Sequence, residues 1–197
     1  MNRRSILFLG GAALVSNLFS KMLTTLAPAA DATFVLEVEK TGILAGKKHR
    51  FVFTDYHGQV SDGAPSDGGK QVIFTVHSAS IQCEDTWVND KDRGKILKYA
   101  LNEMLKVDQY PEIRYVSSAI HERGGNSFSI DGNLTIGLKT RPVSVCATRQ
   151  LDGASKPWWN GSAVISLSDF GLKAPTAALG TIGTKDKMQL SFHLAAL

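Results

Sequence analysis

Five histidines, two cysteines and a scatter of carboxylates are the residues of this chain that could do chemistry. His49, His57, His77, His121 and His193 form no H-x-x-x-H or H-E-x-x-H pair that would bring two imidazoles to one metal. No metal and no cofactor are expected, although ligands distant in sequence can converge in space. His77 and His193 fall on the polar phase of their runs and are expected to face solvent. His49 and His57 flank a strand-like run, within reach of a polar group at its end; ordinary surface positions are the simpler expectation. Cys83 and Cys146 lie in no C-x-x-C pair and near no Cys–His signature, so neither zinc ligation nor nucleophilic catalysis is indicated. They are candidates for a disulfide in an oxidising compartment, which only their separation decides. There is no G-x-S-x-G elbow. Asp85, Asp90 and Asp92 stand beside Lys91 and Arg93 and read as the solvated start of a helix. No catalytic residue is assigned.

The elements that must position these residues are mostly strands. Period-two alternation runs through Phe34–Val38, Phe51–Phe53, Val72–Val76, Ile113–Ser117, Phe128–Ile136, Val143–Val145, Ala163–Leu167 and Met188–Leu194. Turn signals separate the runs at 61–69, Gly124-Gly125-Asn126, Asp152-Gly153 and Asn160-Gly161. Most gaps are too short for a helical crossover, so the sheet is expected to be antiparallel, in a sandwich or barrel. Ile96, Leu97, Ala100, Leu101, Met104 and Leu105 keep helical spacing instead. They predict one amphipathic helix, or two short ones, over 90–105, capped by Asn89 or Asp90 and stopped by Tyr110-Pro111. Its apolar face is expected to join the core. Trp158-Trp159, in an expected turn over Pro157–Gly161, either packs over one end of the sheet or forms an interfacial tip.

Composition narrows the function. The 197 residues are 43% hydrophobic and 20% charged, which suits one globular domain and excludes a mostly disordered chain or a multi-span helical membrane protein. The formal charge of +4 is concentrated at the start: residues 1–30 hold Arg3, Arg4 and Lys21 and no acid. The body is near neutral, without the basic stripe that nucleic acid would need. Arg3-Arg4, the apolar run from Ser5 to Phe19 and the small residues of Ala27-Pro28-Ala29 and Ala30-Asp31-Ala32 have the pattern of an export signal. Arg3-Arg4-Ser5-Ile6-Leu7 also fits a twin-arginine leader. The expected division is a leader over 1–32 and one domain over 33–197, placed in the periplasm or secreted.

A set of short motifs then occurs in order: Val107-Asp108-Gln109-Tyr110-Pro111-Glu112-Ile113-Arg114-Tyr115, Gly132-Asn133-Leu134-Thr135-Ile136, Thr140-Arg141-Pro142-Val143 and Ser168-Asp169-Phe170-Gly171-Leu172. In this order, across 33–197, they resemble the YceI-like, lipocalin-like polyisoprenoid-binding family. The resemblance implies an extended antiparallel barrel of about eight strands, all-β apart from a short helical insertion, with a long isoprenoid or similar amphiphile held inside. Two departures stand out. No histidine follows Leu134-Thr135-Ile136, and Gly46-Lys47-Lys48-His49 keeps only the second histidine of a G-H-x-H turn found in one branch.

On this reading the chain is an exported, non-catalytic binding protein for an isoprenoid lipid, a polyprenol or quinone. The inward phase nominates Phe51, Phe53, Phe74, Val76, Tyr115, Phe128, Ile130, Leu134, Ile136, Ile165, Phe192 and Leu194 as the lining of an apolar tunnel. Lys47, His49 and Arg114 are the headgroup candidates. The expected partner is the lipid, with a transient membrane contact and no nucleic acid; a dimer is left open. Two alternatives stand beside it. One is an enzyme acting on a small apolar substrate in the same cavity, where the alternation puts mainly Ser78, Ser117 and Thr or Tyr hydroxyls and no obvious base. The other is a structural protein whose barrel is filled by its own side chains.

Overall fold

Alternation of apolar and polar residues makes each run two-faced, and the fold buries one face of every run by rolling the sheet up. The computed structural model describes residues 24–62, 69–151 and 157–196. The strands are β1 (Thr24–Ala27), β2 (Thr33–Gly42), β3 (Lys48–Phe53), β4 (Tyr56–Asp62), β5 (Lys70–His77), β6 (Ile81–Cys83), β7 (Glu112–Gly124), β8 (Ser127–Ile136), β9 (Lys139–Leu151), β10 (Pro157–Ser166) and β11 (Ile182–Ala196). Among the described residues one α-helix, α1 (Asp90–Tyr99), runs into a π-helical turn over Ala100–Leu105.

The pairings reduce these segments to eight barrel strands. β1 and β2 both pair antiparallel with β11, so they run the same way and form two halves of one bent strand. β3 pairs with β2, and β4 with β1, so these are also halves of one strand, kinked at Thr54–Asp55. β5 pairs with β4, and β6 with β3, with a 3-10 turn over Ser78–Ser80 between the two halves. β7 to β11 complete the meander, and β1 closes the ring between β11 and β4. β7 pairs only with the β5 half of its neighbour. The gap this leaves beside β6 is where α1 and the π-turn lie, defining a helix end of the barrel and, at the Gly124–Gly125 hairpin, an opposite end.

Local chemistry explains the helix. The Asn89 side-chain oxygen accepts the Asp92 N–H at 2.9 Å, with Asp90 and Asp92 in the first turn and Lys98 in the last, as the helix dipole favours. It stops earlier than Tyr110-Pro111: Lys106 turns left-handed, at φ 51°, and closes the π-turn. Three further expectations are corrected. Asn160-Gly161 makes no turn, and Trp158-Trp159 forms no loop tip; both pairs lie inside β10. The glycine serves a close approach instead. Phe192 stands directly opposite Gly161, and a Cβ there would meet its ring at 2.2 Å. Cys83 and Cys146 are both free, so the candidate disulfide is not formed. Cys146 is exposed on the outer face of β9, whereas Cys83 is half-buried on β6.

The folded unit also reaches back to Thr24, earlier than the boundary at 33. Leu26 is buried in the closing seam, where Gly58 of β4 gives it room: a Cβ on Gly58 would lie 3.1 Å from that of Leu26. Residues 1–23, which hold Arg3-Arg4 and the apolar leader run, lie outside the described residues, as do the turn signals at 63–68 and Asp152-Gly153.

Two measurements check this packing. Gly161→Ala should destabilise the fold by about 1–3 kcal/mol in urea titration, with part of the loss recovered in the Gly161→Ala/Phe192→Leu double variant. With a maleimide at pH 8, Cys146 should label quickly and Cys83 slowly, because burial pushes the Cys83 thiol up to about 11. Cys146→Ser should remove the fast phase alone.

Candidate functional site

The inward phase of the barrel does not fill its own interior. A cavity of about 930 Å³ extends along the strands from the helix end to the opposite end. All of the tunnel candidates line it: Phe51, Phe53, Phe74, Val76, Tyr115, Phe128, Ile130, Leu134, Ile136, Ile165, Phe192 and Leu194. The same alternation carries Leu36 and Val38 of β2, Val143 and Val145 of β9, and Met188 and Leu190 of β11 onto the wall. The solid barrel is therefore not what the chain builds. The helical segment contributes Ile96, Tyr99, Ala100, Met104 and Leu105, so its apolar face covers the cavity as well as joining the core.

Polar groups within the wall are few and mostly engaged. The Tyr115 hydroxyl donates to the carbonyls of Ile130 (2.9 Å) and Val143 (3.2 Å), and burial raises its pKa. Trp159 lines the cavity with its indole N–H buried and unpaired. Its neighbour Trp158 stacks on His193 at 4.3 Å, and His193 Nδ1 lies 2.5 Å from Asn160 Oδ1. His193 is thus half-buried against an indole rather than simply facing solvent. Of the hydroxyls of the catalytic alternative, Ser78 and Ser117 are not among the lining residues, whereas Tyr115 and Thr184 are; Ser117 Oγ accepts the Val72 N–H.

Charged residues gather at the two ends. Lys70, Glu122 and Arg149 stand exposed at the opposite end. At the helix end, Lys40, His49 and Thr184 line the cavity and are each only 8% exposed. Lys40 and Thr184 face each other across β2 and β11, with Nζ donating to Thr184 Oγ1 at 3.3 Å. His49 follows on β3, a diagonal neighbour of Lys40 on the same inner face. Behind the histidine lies Asp85, 2% exposed, in the irregular segment after β6. Its Oδ2 is 2.5 Å from His49 Nδ1, its Oδ1 accepts the Arg50 N–H at 2.8 Å, and its carbonyl accepts from Arg93 at 3.0 Å. Trp87 packs on the imidazole at 5.3 Å and donates its indole N–H to the Lys48 carbonyl. Burial lowers the Lys40 pKa, and the charge of Asp85 opposes that shift.

The headgroup candidates thus separate. His49 reaches the cavity, buried rather than on the surface. Lys47 sits exposed in the β2–β3 turn, and Arg114 is exposed on β7, away from the lining. Lys40 was legible in principle, since it continues the inward series Phe34, Leu36, Val38. Asp85 was not: it belongs to no periodic run, and its burial contradicts the solvated helix start expected for it. His57 and His77 are exposed, and His121 pairs with Asp131 at 3.2 Å on the surface. Among the described residues no cluster of histidine, cysteine and carboxylate side chains could hold a metal ion.

Comparison with known proteins agrees with this geometry. The model of the YceI-like domain family matches residues 26–196. A UPF0312 protein of Pseudomonas putida strain W619 is 29% identical over 136 residues, which span 66% of this chain and 67% of that one. The crystal structure of BcnA from Burkholderia cenocepacia superposes with a TM-score of 0.62 at 23% identity, covering 83% of this chain and 96% of its own. A polyisoprenoid binding domain from Saccharophagus degradans, described as implicated in plant cell wall breakdown, gives 0.60 at 12% identity, covering 89% and 98%.

The buried carboxylate is testable by stability. Asp85→Ala orphans the Arg50 N–H and the His49 ring and should cost about 1–3 kcal/mol in chemical denaturation. Asp85→Asn keeps one acceptor, for the Arg50 N–H, and sets an NH2 donor against His49 Nδ1, so it should cost less than the alanine but not restore both contacts.

Proposed function

The chain belongs to the YceI-like domain family, and from that premise we propose that it is an exported, non-catalytic binding protein that holds one isoprenoid lipid or similar amphiphile inside its barrel. The observation that carries the reading is the cavity of about 930 Å³, which runs along the barrel and is walled chiefly by Val, Ile, Leu, Met and Phe side chains. A long hydrocarbon chain gains by leaving water for such a space. At about 25 cal/mol per Å², burying roughly 400 Å² of apolar ligand would supply about 10 kcal/mol before the costs of ordering the chain. The solved relative named for polyisoprenoid binding supports the choice of ligand class, with polyprenols and quinones the leading members. The basic, apolar start of the sequence supports export to the periplasm or beyond. The cargo's poor solubility makes a membrane its source, reached by transient contact.

Native mass spectrometry of the protein purified from a bacterial envelope should show one stoichiometric adduct that extracts into organic solvent as a prenol or quinone. Ala163 and Ala147 are small, buried residues on the cavity wall. Ala163→Phe or Ala147→Phe should abolish the adduct, or shorten it, while circular dichroism stays barrel-like. A wild-type protein that arrives empty and takes up no added prenol would sink the reading.

A further inference from the structure

Building on that lipid-binding reading, we propose that Lys40, His49 and Thr184, backed by Asp85, form the seat for the lipid's headgroup, and that this seat takes a neutral oxygen function, a hydroxyl or carbonyl, in preference to phosphate.

Burial distinguishes this end from the other. Lys70, Glu122 and Arg149 are exposed and keep their water. Lys40, His49 and Thr184 have lost most of theirs, and a buried polar group is costly unless paired. Their pairing within the protein is incomplete. The Lys40 ammonium carries three N–H donors and makes one side-chain hydrogen bond among the described residues, to Thr184. His49 is held through Nδ1 by Asp85, which leaves Nε2, across the ring, for the cavity. The seat therefore offers donors from Lys40 beside a ring nitrogen whose tautomer Asp85 sets.

Charge decides between headgroups. The Lys40 ammonium feels the charge of the Asp85 carboxylate, and Lys95, which lines the cavity from α1, is exposed and paired with Asp92. A diphosphate would bring further negative charge into a buried space that already holds Asp85, and desolvating it there is expensive. A hydroxyl can accept from Lys40 and hydrogen-bond to His49 Nε2. A carbonyl can accept from Lys40. Either completes the pairing without adding charge, while the apolar tail runs down the barrel towards Phe128 and Trp159.

The test uses three C20 probes with the same branching: geranylgeraniol, geranylgeranyl diphosphate and the hydrocarbon phytane, each displacing a fluorescent fatty probe from the protein. Geranylgeraniol should bind about tenfold tighter than either of the others. Lys40→Met and His49→Phe should each erase most of that preference, bringing geranylgeraniol to within about twofold of phytane. Lys40→Met replaces a buried cation with an apolar chain of similar length, so loss of folding is not expected to confound it. A tighter grip on the diphosphate overturns the proposal. So does an alcohol preference that survives both variants, or one lost instead in Trp159→Phe or Arg149→Gln, which would place the headgroup at the opposite end. If the wild-type protein binds none of the three, the lipid-binding reading fails and the seat falls with it. Equal binding of alcohol and hydrocarbon overturns the seat alone.

Discussion

Everything in this molecule depends on a sheet that must pair with its own first strand. Closure pairs the strands around the ring except beside β6, so most backbone donors and acceptors are satisfied by neighbours rather than by water. It also sends every second side chain into a shared interior. Short connections and bends achieve it: three of the strands are broken into halves that pair with different parts of the same neighbours. The first half-strand is only Thr24–Ala27, yet it joins β11 to β4. Gly58 at the closing seam and Gly161 on β10 admit close approaches, because Leu26, Phe74 and Phe192 occupy the space a Cβ would need.

Closure alone does not make a container. Eight strands enclose an interior that side chains can just fill or that can be left for one ligand. Here the wall is built largely from aliphatic side chains, with lining rings that include Phe34 against Phe53 and Phe74, and Phe128 against Trp159. The barrel is also left incomplete on one flank, where β6 and β7 diverge and a helical segment lies instead of a strand. The apolar length and the buried polar end of the resulting cavity are complementary to an amphiphile.

Much of the fold and half of the candidate site could be read before any coordinates. Phe51, Phe74, Ile130 and Leu134 were legible as wall because a strand's period of two needs no tertiary information. The helix over 90–105 was legible by its spacing. Asn160-Gly161 misled because the same glycine that permits a turn also permits a ring to lie against the backbone, and only the partner strand says which. Trp158 misled for the same reason: it lies inside β10 and stacks on His193 of the neighbouring β11, which does keep the outward phase read for it.

Alternation and turn residues determined by themselves that this chain is an antiparallel sheet protein with an apolar face, a sandwich or a barrel, because a strand's period of two is local; the order of a few short motifs pointed to the barrel through the family they resemble. Tertiary structure alone decided that the interior is a cavity rather than a packed core, because volume depends on how far the strands are held apart. It alone decided that Thr24–Ala27 belongs to the barrel, because so short a strand is defined by its partners. And it alone brought Asp85 against His49 and set Lys40 beside them, because residues that lie on β2, on β3 and in an irregular segment become neighbours only when the sheet curls.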